Sequence, residues 1–67
     1  MSKLPEKLKE LREDKGLLQS QLATELNFSQ ATITRWETGK RVPSIDDAIK
    51  IAKYFGVTTD YLFGLED

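Results

Sequence analysis

Apolar residues recur along this chain at helical intervals, and no stretch keeps the strict apolar–polar alternation of a half-buried strand. Leu4, Leu8 and Leu11 follow an i, i+4, i+7 pattern, with Pro5 suited to a first helical turn and Gly16 to the stop. Leu22, Ala23 and Leu26 form a second stripe that starts near Gln19 and ends at Asn27, a residue tolerant of the left-handed conformation. Ser29 can cap a third segment, with Phe28 and Ile33 placed as a hydrophobic staple, Ile33 and Trp36 turned inward, and Gly39 closing it. Ser44-Ile45-Asp46-Asp47 opens a fourth helix in capping-box order, with both acids at the positive end. Ile45, Ala48, Ile49, Ala52 and Phe55 mark its expected buried face before Gly56. Thr58 or Thr59 caps a short fifth helix carrying Tyr61, Leu62 and Phe63. The pattern predicts an all-α fold, a compact five-helix domain with short loops over residues 1–67.

Length and composition narrow the function. A domain of 67 residues buries only about 60% of the surface its unfolded chain exposes, so most residues must serve the core. Little room is left for an enclosed substrate pocket. With no cysteine and no histidine there is no disulfide, no thiolate nucleophile and no usual ligand for structural zinc. The carboxylates of the first helix alternate with lysines at i, i+3 and i, i+4 and read as a solvated face rather than acid–base machinery. The chain is therefore read as a non-enzyme, with no catalytic residue, cofactor, metal or small-molecule ligand. MSKLPEKLKE lacks the apolar core of a signal peptide, and no run approaches the roughly 18 residues of a membrane span. A cytoplasmic protein with no membrane partner is expected.

A net charge of -1 argues mildly against nucleic acid, but the charge is unevenly spread. Residues 28–45 hold Arg35, Lys40 and Arg41 against Glu37 alone, while residues 46–67 hold five acids against Lys50 and Lys53. The second and third helices, about 19–26 and 30–38, are joined by a turn of about three residues, which is the dimension of a helix-turn-helix. The outward face of the third carries Gln30, Ala31, Thr34 and Arg35. Gln can pair with adenine, Arg with guanine, and Ala or a Thr methyl can touch the thymine methyl. Spacing alone leaves two readings open, a DNA-reading helix and an ordinary solvated one.

The longer run separates them. GLLQSQLATELNFSQATITRWETGKRVPS, followed by IKIAKYFGVTTDYLFG, resembles the Cro and phage-repressor helix-turn-helix family, also called the xenobiotic response element family. The resemblance extends from about Leu8 to Gly64. It implies a repressor-like five-helix DNA-binding domain, with the helix-turn-helix proper at about 19–38. It also implies that Gln30, Ala31, Thr34 and Arg35 read bases, and that Gln19, Gly39, Lys40 and Arg41 hold phosphates, the loop through both its amides and its cations. Arg12 and Glu37 match a charged pair tying the first helix to the end of the third. The sequence departs from the pattern at Leu18, where the family usually has a capping Ser or Thr.

The function so implied is sequence-specific regulation of transcription. A bacterial or phage-encoded repressor would bind double-stranded DNA as a homodimer on an inverted-repeat operator, associated with the nucleoid when bound. Thr59, Phe63 and Leu65 are expected at the dimer contact. The rival reading is a protein-interaction module on the same fold, a bridging factor or antitoxin-like partner, favoured by the acidic C-terminal third and by Phe63 and Leu65 read as exposed.

Overall fold

The computed structural model describes residues 2–66. Five helices follow one another: α1 (Leu4–Asp14), α2 (Gln19–Leu26), α3 (Gln30–Glu37), α4 (Ile45–Phe55) and α5 (Thr59–Leu62). No strand occurs among the described residues. The helix ends follow their punctuation. Gly16, Asn27 and Gly56 take positive φ values of 71°, 63° and 70° just past α1, α2 and α4, the conformation in which a chain leaves a helix while satisfying its last carbonyls. Ser29 accepts a hydrogen bond from the Thr32 N–H at 3.2 Å and Thr58 accepts from Tyr61 at 3.0 Å, so Thr58 rather than Thr59 caps α5.

Two caps are half-built, in opposite senses. At α4, Ser44 accepts from the Asp47 N–H at 3.1 Å, but no bond returns from the Asp47 carboxylate to the Ser44 amide among the described residues. Aspartate is one methylene short of the glutamate that usually closes a capping box. At α2 the return bond exists without the forward one. Gln21 Oε1 accepts from the Leu18 N–H at 2.8 Å, while the Leu18 side chain can accept nothing.

One core unites the helices. Leu4 and Leu8 of α1, Leu22, Ala23 and Leu26 of α2, Ile33 and Trp36 of α3, Ala48, Ile51 and Ala52 of α4, and Leu62 of α5 are all buried. The Phe28 ring meets Trp36 edge to face at 4.9 Å, so the turn between α2 and α3 is pinned to the buried side of α3. Lys50 lies over the outer part of the same Phe28 ring at 4.7 Å.

The buried face of α4 differs from the expected one. Ile45 is 80% exposed and Ile49 is also exposed, whereas Ile51 is fully buried. The sequence Ile45-Asp-Asp-Ala-Ile-Lys-Ile-Ala offers two apolar stripes sharing Ala48 and Ala52, and the fold selects the one through Ile51. Phe55 is only half-buried, at the core's edge beside Tyr54. Phe63, expected to be exposed, is likewise half-buried against the core, and its carbonyl accepts from the Lys3 N–H at 3.2 Å. On α1 the buried positions run Leu4, Leu8, Arg12, so an apolar stripe ends in a guanidinium while Leu11 is half-buried beside it. No helix of the described residues is long and apolar enough to cross a membrane.

Leu18 is 65% exposed, so replacing it loses little burial. Leu18→Ser gives α2 the missing acceptor for the Gln21 N–H and completes its capping box. The expected result is a rise in the urea midpoint equivalent to about 0.5–2 kcal/mol. A falling midpoint would mean that Leu18 has an apolar contact worth more than the cap.

Candidate nucleic-acid interface

The face in question is built from the burial of α3. Ile33 and Trp36 point into the core, and a turn of about 100° per residue then directs Gln30, Ala31 and Arg35 to solvent. Thr34 sits at the margin of that face, half-exposed. Ala31 between the longer side chains keeps the surface low enough for a close approach.

The chain leaves α3 through Thr38 and Gly39, the latter at φ 77°. A β-carbon on Gly39 would find Pro5 Cγ at an ordinary 3.7 Å, so backbone conformation rather than space calls for glycine here. The loop then folds back on the helix end. The Arg35 carbonyl accepts from the Lys40 N–H at 2.9 Å and from the Arg41 N–H at 3.2 Å. The Gly39 N–H points to the Trp36 carbonyl at 3.4 Å. The amides expected to face phosphates are thus turned inward to carbonyls. Any grip on an anion falls to the Lys40 and Arg41 side chains, both exposed. The one salt bridge among the described residues lies elsewhere, so Arg35, Lys40 and Arg41 stand without a directly paired carboxylate. Asp47 lines the same cleft as Arg35 and Arg41 without forming a salt bridge to either.

On the other side of α3 lies the N-terminus of α2. The Gln19, Ser20 and Gln21 amides have no hydrogen-bond acceptor among the described residues, as the opening of a helix dictates. Three outward amides and the helix dipole make this end attractive to an anion.

Arg12 locks these parts together. Its Nε donates to Glu37 Oε2 at 2.7 Å, its Nη2 donates to Glu37 Oε1 at 3.0 Å, and its Nη1 donates to the Leu17 carbonyl at 2.7 Å. The pair is deeply buried, with side-chain exposures of 10% and 3%. Gln19 joins it: Nε2 donates to Glu37 Oε1 at 3.1 Å, and Oε1 accepts from the Thr34 hydroxyl at 2.7 Å. One network therefore ties α1, the loop before α2, the start of α2 and the second half of α3. The Gln19 side chain is engaged through one amide N–H and its carbonyl oxygen, which leaves its second side-chain N–H and its backbone amide without an acceptor among the described residues. The hydrogen bond to Glu37 raises the Arg12 pKa above its ordinary value, overcoming the opposing effect of burial. Because the shift is upward from an already alkaline value, the Arg12 contribution is lost as pH rises through its folded-state pKa, well above neutrality.

The Leu17 carbonyl and the Thr34–Gln19 bond leave no mark in sequence spacing, whereas Gln21, three residues after Leu18, stands at the capping-box position that signals its return bond. The residues assigned to bases and those assigned to phosphates are brought onto connected surfaces. Thr59, Phe63 and Leu65 lie together at the C-terminal end, where Leu65 is 76% exposed and Thr59 is half-buried.

The helix-turn-helix family model matches residues 8–62. This chain belongs to the Cro and phage-repressor helix-turn-helix family. It is 44% identical over 62 residues to the HTH-type transcriptional activator BcrR of Enterococcus faecalis, covering 92% of this chain and 30% of BcrR. An HTH-type transcriptional regulator of Methanocaldococcus jannaschii is 46% identical over 61 residues, covering 91% of this chain and 92% of that one. Among solved structures, the P22 c2 repressor in complex with a synthetic operator superposes with a TM-score of 0.86 at 21% identity. The match covers 94% of this chain and 96% of that one, and shows a common helix-turn-helix fold.

Glu37→Gln leaves the Arg12 guanidinium without a counter-charge. Breaking a buried pair in this way typically costs about 3–5 kcal/mol. For a domain of this size the melting temperature should fall by about 12 °C or more. Glu10→Gln, on the exposed side of α1, is the control. Equal shifts for the two variants would assign the bridge no stabilising role.

Proposed function

We propose that this chain is a sequence-specific DNA-binding regulator of transcription and not an enzyme. It occupies an inverted-repeat operator as a homodimer. The observation that carries this reading is a single surface on which Gln30, Ala31 and Arg35 project between an unpaired helix N-terminus and two unpaired cations. Such a surface separates two tasks. The N-terminus of α2, Lys40 and Arg41 hold phosphates of any sequence, while the side chains of α3 meet base edges in the major groove. Regulation then follows from occupancy, by obstructing transcription where the operator overlaps a promoter. The site of action is the cytoplasm, on nucleoid DNA, and residues 1–67 act as one DNA-binding unit.

A single α3 covers only a few base pairs, and pairing two doubles the base contacts. Half-site centres one helical turn apart, about 34 Å, suit a symmetric dimer. Thr59, Phe63 and Leu65 supply its contact, and the exposed Leu65 side chain supports that placement. The same exposed leucine is what favours the rival protein-interaction reading, which predicts little dependence of binding on DNA.

Arg35 and Lys40 divide reading from gripping. Arg35→Ala should narrow the gap between operator and scrambled duplex by about 1–3 kcal/mol per half-site, since a guanidinium fork can bond both acceptors of guanine. Lys40→Ala should weaken both duplexes alike and flatten the slope of log K against log salt by about 0.9 for each phosphate released, nearly twice that for a dimer. A salt titration of each variant on both duplexes checks the assignment. The reverse pattern would exchange their roles, and no effect from either would favour the interaction module. Inserting five base pairs between half-sites puts them on opposite faces of the duplex and should abolish tight binding; unchanged affinity would reject the dimer.

A further inference from the structure

Glu37 is the fixed point of a hydrogen-bond chain that runs outward to the reading face. Arg12 donates to both of its carboxylate oxygens, and a carboxylate so held can only accept. Gln19 is thereby obliged to turn its amino group to Glu37, where Nε2 donates at 3.1 Å. Its carbonyl oxygen is left facing Thr34, and an amide oxygen has no proton to give. The Thr34 hydroxyl must donate, and does so at 2.7 Å. Its single proton is then used, and Oγ1 presents only lone pairs outward. An unconstrained threonine hydroxyl turns its proton to suit either a donor or an acceptor, which makes it a poor discriminator of base edges.

Resting on the DNA-reading role of α3 proposed above, we propose that Thr34 is a specificity-determining residue of fixed polarity, whose Oγ1 accepts from a base amino group, N6 of adenine or N4 of cytosine. It refuses the acceptors N7, O6 and O4 unless its bond to Gln19 breaks. Gln19 is the positioning residue of this relay. A side chain assigned to phosphate by family resemblance thus sets the hydrogen-bonding sense of a neighbour on the reading helix.

The test begins by selecting an operator from random duplexes with the full chain. Affinity is then measured for duplexes in which purine replaces a single adenine, or a pyrimidin-2-one replaces a single cytosine, so that only the amino group is lost. At one base pair per half-site, amino deletion should weaken the wild type and Thr34→Ser by about five- to tenfold, the range of one neutral hydrogen bond. Thr34→Val should be indifferent to that deletion. Exchanging the amino-bearing base for its pairing partner should cost the wild type about tenfold, and Gln19→Met, whose Thr34 hydroxyl is free to turn, about twofold or less. That ratio is unaffected if Gln19 also touches a phosphate, because both duplexes present the same backbone. Thr34→Val keeping the wild-type penalties at every pair overturns the proposal, as does Thr34→Val keeping a wild-type preference for thymine, which would assign the interaction to the methyl group. Full discrimination retained by Gln19→Met overturns the relay. A chain that selects no sequence overturns the DNA-reading role and this proposal together, whereas intact selection with a wild type indifferent to amino deletion at every pair overturns this one alone.

Discussion

A guanidinium buried in a 67-residue protein is the constraint around which the rest is arranged. Arg12 occupies the position after Leu4 and Leu8 on the inward stripe of α1, where its charge is largely removed from water. Such a charge is tolerated only when paired and hydrogen-bonded, and Arg12 makes two bonds to Glu37 and one to the Leu17 carbonyl. The pairing fixes the end of α3 against α1, and the Leu17 bond fixes the chain as it enters α2. Swapping such a bridge for packed apolar residues is often neutral or stabilising, so net stability is a weak account of its presence. Its geometry is the better one. A bidentate fork has one orientation, and an apolar contact has many.

How far the fold was legible depended on whether a feature is local. Caps and stops are local: Gly16, Asn27, Ser29, Gly56 and Thr58 mark their helix ends in the sequence and occupy those places in the structure. The buried face of α4 is not local. Ile45, Ile49 and Ile51 are equally apolar, and only the positions of α2 and α5 decide that Ile51 is enclosed while Ile45 faces solvent. Arg12 and Glu37 lie 25 residues apart, and the pair was visible only through family resemblance. The Thr34–Gln19 bond was visible through neither route, because two neutral polar side chains in adjacent helices carry no pattern until the helices are placed. The loop after α3 shows a different limit. Family resemblance implied phosphate contact through both amides and cations, but only the fold shows that the Lys40 and Arg41 amides are spent on the Arg35 carbonyl while the side chains remain exposed.

Total charge is a poor guide to a molecule of this kind. At physiological ionic strength, charges are screened beyond about 8 Å, so the field at α3 is set by its neighbours Arg35, Lys40, Arg41 and Asp47 more than by the total. Several lysines outside this patch are engaged otherwise, Lys7 over Tyr61 and Lys15 over Tyr54 among them. Near the C-terminus, Glu66 accepts from the Thr58 hydroxyl at 2.6 Å, which holds one acid against the start of α5.

The outward face of α3 depends on the rest of the fold because this helix cannot stand alone. An isolated helix of the length of α3, eight residues, is marginal in water, so its shape is lent to it by the rest of the protein. Ile33 and Trp36 set its rotation about its own axis, Phe28 holds the turn that precedes it, and Glu37 anchors its last turn through Arg12. Rotating α3 by one residue's turn, about 100°, would bury polar side chains such as Thr34 and expose Ile33. The core therefore enforces the outward face of α3 with the full cost of misplacing its apolar residues. The polar network acts at a finer level, choosing among rotations of a few degrees and among rotamers of Gln19 and Thr34 that the core would tolerate equally. Apolar burial selects which residues face outward, and the buried charge selects how they are held.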